Sequence, residues 1–199
     1  MTTVLVTGFE PFGGGTVNPS WEAVKRLRDT WAGPETLIVE RLPVEFAASS
    51  ARLSSLVSEH SPDLVIATGL AAGRTAITPE RVAINVDDAR IPDNAGAQPI
   101  DEPIAVDGPA AYFTGLPVKA IVAALAAEGI PAAVSQSAGT YVCNHVMYTL
   151  LHSGVRGGFI HVPSSDVVDA AAAGRALELA VRVALESDGD VRAVGGAES

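Results

Sequence analysis

The chain carries one cysteine, Cys143, and four histidines, His60, His145, His152 and His161. A lone cysteine that an imidazole can reach is a candidate nucleophile. Cys143 stands in "SAGTYVCNHVMYTLLH", where Val146, Leu150 and Leu151 mark a helix that begins at or beside it. A sulfur at a helix N-terminus sits in a positive partial charge, which favours the reactive thiolate. The unpaired N–H groups of the same first turn could hold an oxyanion. The bland alternative is a buried, inert thiol.

The histidines differ in promise. His60 ends a polar helical stretch and reads as solvated. His145 follows Cys143 by two residues, and i,i+2 positions do not face each other on a helix. His152 lies in the last turn of that helix, where a cation suits the dipole. His161 closes the apolar run "GGFIHVP"; it is either a packed core histidine or a base at a strand end. A Cys-His pair needs a third group to orient the imidazole. Glu80, Asp87, Asp88 and Asp93 are the candidates, with a surface ion pair to Arg81 as the plain reading of Glu80.

A second unusual stretch is "VLVTGFEPFGGG". A β-branched run enters a glycine-rich turn before a helix, which is the grammar of a phosphate cradle. The residues argue against that use. The second glycine of G-x-G-x-x-G is missing, Gly14 stands where a Walker loop has lysine, and Glu10 would repel phosphate. Phe9 and Phe12 instead read either as core or as the apolar wall of a pocket.

Strands and helices alternate around these residues. "TVLVTGF", "ETLIVERLPV", "DLVIATGL", "RVAIN" and "GGFIHVP" read as strands, and "PAAVSQSAG" as a strand and turn. Helices are expected from Asn18 as N-cap with Pro19 in the first turn, and over "FAASSARLSSLVSEH", "PVKAIVAALAAEGI", "CNHVMYTLLHS" and "DVVDAAAAGRALELAVRVALES". The stretch between "RVAIN" and the third of these helices is dense in Asp, Pro and Gly; long aperiodic loops of this kind tend to be functional. The order predicts an α/β chain with a mostly parallel twisted sheet between helices. Ligands of such sheets bind beyond the carboxyl ends of the strands, and the Phe-Gly loop, the turn before Cys143 and His161 all fall there.

Bulk properties set limits. The 199 residues suit one domain, taken as 1–199 with a frayed tail at 187–199. A net charge of −10 makes nucleic acid a poor partner. No apolar run of about 18 residues is present, so no membrane span is expected. The lone cysteine excludes an intrachain disulfide and points to the cytoplasm. Neither H-E-x-x-H nor a Cys/His metal spacing occurs, and no metal or other cofactor is expected.

Four segments, "VTGFEPFGG…NPS", "GRTAITPERVAINVDDARIPDNAGAQP", "SAGTYVCNHVMY" and "GFIHVP", occur in this order and together closely resemble the pyrrolidone-carboxylate peptidases, or pyroglutamyl peptidases I. The resemblance runs from about residue 3 to about residue 186. It implies a three-layer α/β/α sandwich, a cytoplasmic and often tetrameric cysteine peptidase, and release of an N-terminal pyroglutamyl residue from peptides. By position it makes Cys143 the nucleophile, His161 the base and Glu80 the orienting carboxylate. It makes Phe9 and Phe12 the aromatics that flank the pyroglutamyl ring, puts Arg90 near the active site, and extends the binding set to Leu70, Ile91, Tyr141 and Val142. Three positions depart from the pattern: Leu70 where glutamine is common, Ala72 in place of a glycine, and Tyr141 where phenylalanine is common. A hydrolase or phosphorylase acting on small molecules on a similar sheet, or a family member with altered activity, remains the alternative.

Overall fold

A computed structural model of the chain describes residues 2–196. Five strands form the main sheet: β1 (Thr3–Phe9), β2 (Thr36–Leu42), β3 (Leu64–Leu70), the two-residue β4 (Thr78–Pro79) and β7 (Gly157–Val162). Their order across the sheet is β2-β1-β3-β7-β4, parallel throughout except for β4 against β7. A small antiparallel pair, β5 (Val82–Ile84) and β6 (Ala111–Phe113), stands apart.

Alternation along the strands divides the core in two. Val4 and Val6 face one side, with α1 (Pro19–Thr30), α3 (Val118–Ala127) and α5 (Ala170–Glu186). Leu5, Val65 and Ala67 face the other, with α2 (Phe46–His60) and α4 (Val142–His152). The result is the expected three-layer α/β/α sandwich. Central strands covered on both faces must be apolar nearly throughout, which is why β1, β3 and β7 read as continuous hydrophobic runs.

Local signals set the helix ends. Asn18 Oδ1 accepts from Ser20 N at 3.0 Å and caps α1, with Pro19 in the first turn. Asp169 Oδ1 accepts from Ala172 N at 2.8 Å, so α5 begins after this cap and leaves out residues 166–168. Two sequence expectations are corrected. Residues 131–139 form no strand; they run beside β4 with two isolated bridges, Ile77 to Ala132 and Glu80 to Ser135. The segment after α5 does not fray at its start. Asp190 accepts from Lys119 N and Ala120 N at the start of α3, and Gly195 O accepts from Arg81 Nη2 at 2.7 Å. The end of the expected frayed tail, 197–199, lies outside the described residues.

Because β1, β3 and β7 are parallel, their last residues gather at one edge: Phe9, Leu70 and the His161–Val162 pair. In register, Gly69 lies beside His161. The site is built on that edge.

Candidate active site

β4 runs antiparallel to the end of β7, and Thr78 is the register partner of His161. Side chains two apart on an extended chain share a face, so Glu80 projects on the same side as Thr78. Its backbone N–H donates to Phe159 O at 2.9 Å, which holds the turn against β7. Glu80 Oε1 then lies 2.7 Å from His161 Nδ1, and both residues are buried. A carboxylate only accepts, so Nδ1 carries the proton and Nε2 is left as the free, basic nitrogen. The reading of Glu80 as a surface ion pair with Arg81 does not hold. The Arg81 guanidinium turns away to Gly195 O.

Cys143 is the second residue of α4, and N-cap Tyr141 makes no side-chain cap. The first bond of the helix is donated by His145 N to Tyr141 O at 3.1 Å. The N–H groups of Val142, Cys143 and Asn144 therefore have no acceptor within the helix. Asn144 anchors this turn from behind. It is fully buried, accepts from Ile84 N, and donates to Ile84 O and Val86 O. Sequence reasoning did not single it out, although an asparagine beside the only cysteine, in the first turn of an apolar helix, was visible.

The thiol is brought to the histidine through a glycine. A Cβ built at Gly69 would lie 2.8 Å from Cys143 Sγ and 2.8 Å from Phe159 Cζ. Only the missing side chain lets sulfur settle on β3 at the position flanked by His161 on β7. Burial and then the Glu80 charge push the Cys143 thiol up to about 12, while Arg74 pulls the other way. Burial lowers His161, against the hydrogen bond and charge of Glu80. The pair is thus neutral thiol and neutral imidazole. The helix-end bias toward thiolate, expected from the sequence, is outweighed by loss of solvent.

Beside the thiol opens a small recess lined by Phe9, Phe12, Asn18, Val44, Leu70, Tyr141, Val142 and Cys143. Asn18 brings little polarity to it, because its side chain is engaged with Glu10 O, Ser20 N and Ser20 Oγ. Phe9 is both core and wall, nearly fully buried with its ring 6.4 Å from Phe159. Phe12 is half-buried. Gly13 and Gly14 adopt φ +60° and +81°, so the glycines turn the chain. Glu10 accepts from Val44 N and Asn94 Nδ2, which ties the opening loop to α2's entry and to the long loop.

Arg90 and Ile91, both expected at the pocket, are exposed on the long loop and are not among the residues lining the recess. The loop reaches the recess through Tyr141, whose hydroxyl donates to Pro92 O at 3.0 Å, a bond phenylalanine could not make. The other carboxylates have separate duties. Asp87 Oδ2 pairs with His145 Nδ1 at 2.7 Å, which directs His145 away from the thiol. Asp93 accepts from Phe46 N, Ala95 N and Ala97 N. Asp88 is exposed. His60 lies next to Glu59, and His152 Nδ1 lies 2.8 Å from the Tyr112 hydroxyl. Among the described residues no three His, Cys, Asp or Glu side chains group to hold a metal ion, and no helix is long and apolar enough to cross a membrane.

Sequence reasoning also passed over Arg74, whose guanidinium pairs with Glu80 Oε1 and donates to Ser137 O at 3.0 Å. Its place in "GRTAITPE", six residues before Glu80, was the available signal.

A family model described as pyroglutamyl peptidase matches residues 2–187. The chain belongs to the pyroglutamyl peptidase family. It is 54% identical to the pyrrolidone-carboxylate peptidase of Enterobacter sp. (strain 638) over 99% of both chains, and 51% identical to that of Yersinia pestis over the same shares. Among solved structures it resembles pyroglutamyl peptidase I from Bacillus amyloliquefaciens, with TM-score 0.90, 48% identity and coverage of 96% of this chain and 100% of that one. The pyrrolidone carboxyl peptidase of Thermococcus litoralis gives TM-score 0.88, 42% identity and 94% coverage of each. The match therefore covers nearly the whole chain, in sequence and in fold.

Proposed function

We propose that this member of the family is a cysteine peptidase that hydrolyses the amide bond after an N-terminal pyroglutamyl residue. The observation that carries the reading is an apolar recess, walled by Phe9 and Phe12, that ends on the Cys143 thiol. A pyroglutamyl group has its nitrogen closed into a neutral lactam. It needs no carboxylate or metal to hold an amine, only a flat uncharged slot with backbone partners for its N–H and C=O.

The geometry supports the following roles. Cys143 Sγ attacks the pyroglutamyl carbonyl carbon as its proton passes to His161 Nε2. The oxyanion faces the open N–H groups at the start of α4. Collapse breaks the C–N bond, and His161 gives the proton to the leaving amine. Water then enters; His161 takes one of its protons as the water oxygen bonds to the thioester carbon, the C–S bond breaks, and His161 returns the proton to the Cys143 sulfur as pyroglutamic acid is released. Glu80 holds the imidazole in the tautomer this sequence requires. Leu70, Tyr141 and Val142 complete the wall. We assign Arg90 and Ile91, on the loop that Tyr141 grips, to the path of the peptide beyond the ring.

The acidic charge and the lone cysteine support a cytoplasmic site of action, without nucleic-acid or membrane partners, and family resemblance supports a homotetramer. Light scattering of the purified protein reads the second point directly; a monomer at all concentrations refutes it.

Turnover is tested with a pyroglutamyl-amide chromogenic substrate and its prolyl and glutamyl counterparts, before and after iodoacetamide. Release from the pyroglutamyl substrate alone, abolished by alkylation and absent in Cys143→Ala, is expected. Undiminished release by Cys143→Ala would refute the assignment.

A further inference from the structure

Glu80 is wholly buried, and both of its donors converge on one oxygen. His161 Nδ1 and Arg74 Nη1 share Oε1, while Oε2 is buried with no hydrogen-bond partner. A carboxylate in that state is costly unless a fixed charge faces it. Arg74 is that charge. Its guanidinium bridges three points of the site: Glu80 Oε1, Thr78 Oγ1 at 2.5 Å and Ser137 O at 3.0 Å. Thr78 is the register partner of His161, and Ser137 lies in the segment leading to Cys143. Through Nη1 and Nη2 the fork thus joins the turn after β3 to both halves of the catalytic pair.

We propose that Arg74 is a positioning residue that neutralises Glu80, so that proton transfer from Cys143 to His161 takes place in a site with no excess negative charge. The proposal rests on the Cys143–His161–Glu80 reading above. Charge counting gives the reason. Once the proton has moved, the site holds thiolate, imidazolium, Glu80 and Arg74, which sum to zero. Without Arg74 the same state carries one buried negative charge. Arg74 is also the influence that lowers Cys143, against burial and Glu80, and it lowers His161 as well, which makes the imidazolium a readier donor to the leaving amine. The other groups around the thiol do not substitute for it. Tyr141, the N-cap of α4, donates to Pro92 O. His145, on α4, is committed to Asp87 of the long loop, and Asp93 of that loop accepts from three backbone N–H groups.

The test is the rate of iodoacetamide alkylation at a fixed pH below 9.0, where the thiol is mostly protonated and the rate tracks the thiolate fraction, in parallel with kcat and KM, for the wild type, Arg74→Gln and Arg74→Lys. Cys143 is the only cysteine, so alkylation reports on it alone. Arg74→Gln is expected to slow alkylation at least about tenfold and to lower kcat at least about tenfold with KM little changed. Arg74→Lys is expected to restore the alkylation rate, with kcat only partly recovered. Methylguanidinium added to Arg74→Gln is expected to recover part of kcat. A merely structural role would lower folded yield or thermal stability and leave the alkylation rate of the folded protein alone. A wild-type alkylation rate in folded Arg74→Gln overturns the proposal. If that variant does not fold, Thr78→Val is read instead: it unties one anchor of the fork, and a kcat and alkylation rate equal to wild type would overturn the proposal. The underlying triad reading fails separately, if alkylation of the wild-type enzyme leaves activity intact.

Discussion

Gly69→Ala adds one methyl group at the point where β3, β7 and α4 converge. The backbone there is ordinary strand, so the substitution carries no conformational strain and acts only through space. The new Cβ would stand 2.8 Å from Cys143 Sγ and 2.8 Å from Phe159 Cζ, about 0.6 Å inside the 3.4 Å at which ordinary van der Waals contact begins. Phe159 is fully buried, so the ring cannot retreat freely and the sulfur must give way. Overpacking of this kind costs about 1–3 kcal/mol, which lowers Tm by roughly 2–12 °C in a domain of this size. The effect on catalysis is larger than the effect on folding. Misplacing a reacting atom by ~1 Å can cost about 10²-fold, so kcat/KM is expected to fall roughly 10- to 100-fold. Gly73→Ala is the control, because a Cβ there meets nothing within 4 Å. The assays are differential scanning calorimetry and hydrolysis of a pyroglutamyl-amide substrate. Wild-type kcat/KM in a folded Gly69→Ala enzyme would refute the placement of the thiol against β3.

Phe9 and Phe12 are expected to separate on truncation: Phe12→Ala, at a half-buried wall, raises KM by roughly 10- to 100-fold with a small change in Tm, whereas Phe9→Ala also destabilises the fold by about 3–5 kcal/mol. Equal KM values for Phe12→Ala and wild type would make Phe12 packing alone. Burial raises Cys143 from its ordinary value of 9.0 to about 12, so an unfolded chain loses this proton at lower pH than the folded one does. That contribution to stability is present below pH 9 and is lost as pH rises toward 12; Tm measured over this interval should fall more steeply for wild type than for Cys143→Ala, and parallel curves would contradict it. His161 is lowered, so the acid limb of kcat/KM should lie below the ordinary imidazole range of about 6.5, and a limb above it would count against a buried neutral base.

The reacting residue types and most of the elements that carry them were legible in the amino-acid order. The continuous apolar runs of β1, β3 and β7 and the alternation with helices identify a parallel sheet covered on both faces, because only such strands exclude polar residues throughout. Parallel strands end together, so the Phe-Gly loop and His161 had to share an edge. The single cysteine at the start of an apolar helix stood out as the candidate nucleophile. Short-range signals could go no further where pairing is made by distant chain. β4 has two residues and no periodicity of its own; it exists because β7 offers it a register, and that register aims Glu80 at His161. Residues 131–139 have strand-like composition but pair beside the sheet in isolated bridges and not in a continuous ladder. The Asp190 contact that pins the chain after α5 joins residues 71 positions apart. Arg74 was one of several arginines until folding turned it onto a buried carboxylate. The thiol shows the division most plainly. Its place at a helix N-terminus argued for a thiolate, while the enclosure supplied by β3, Phe159 and Glu80 favours the neutral form. The helix dipole is a local property that sequence reveals; burial and the charges across the site come from contacts that only the tertiary structure creates.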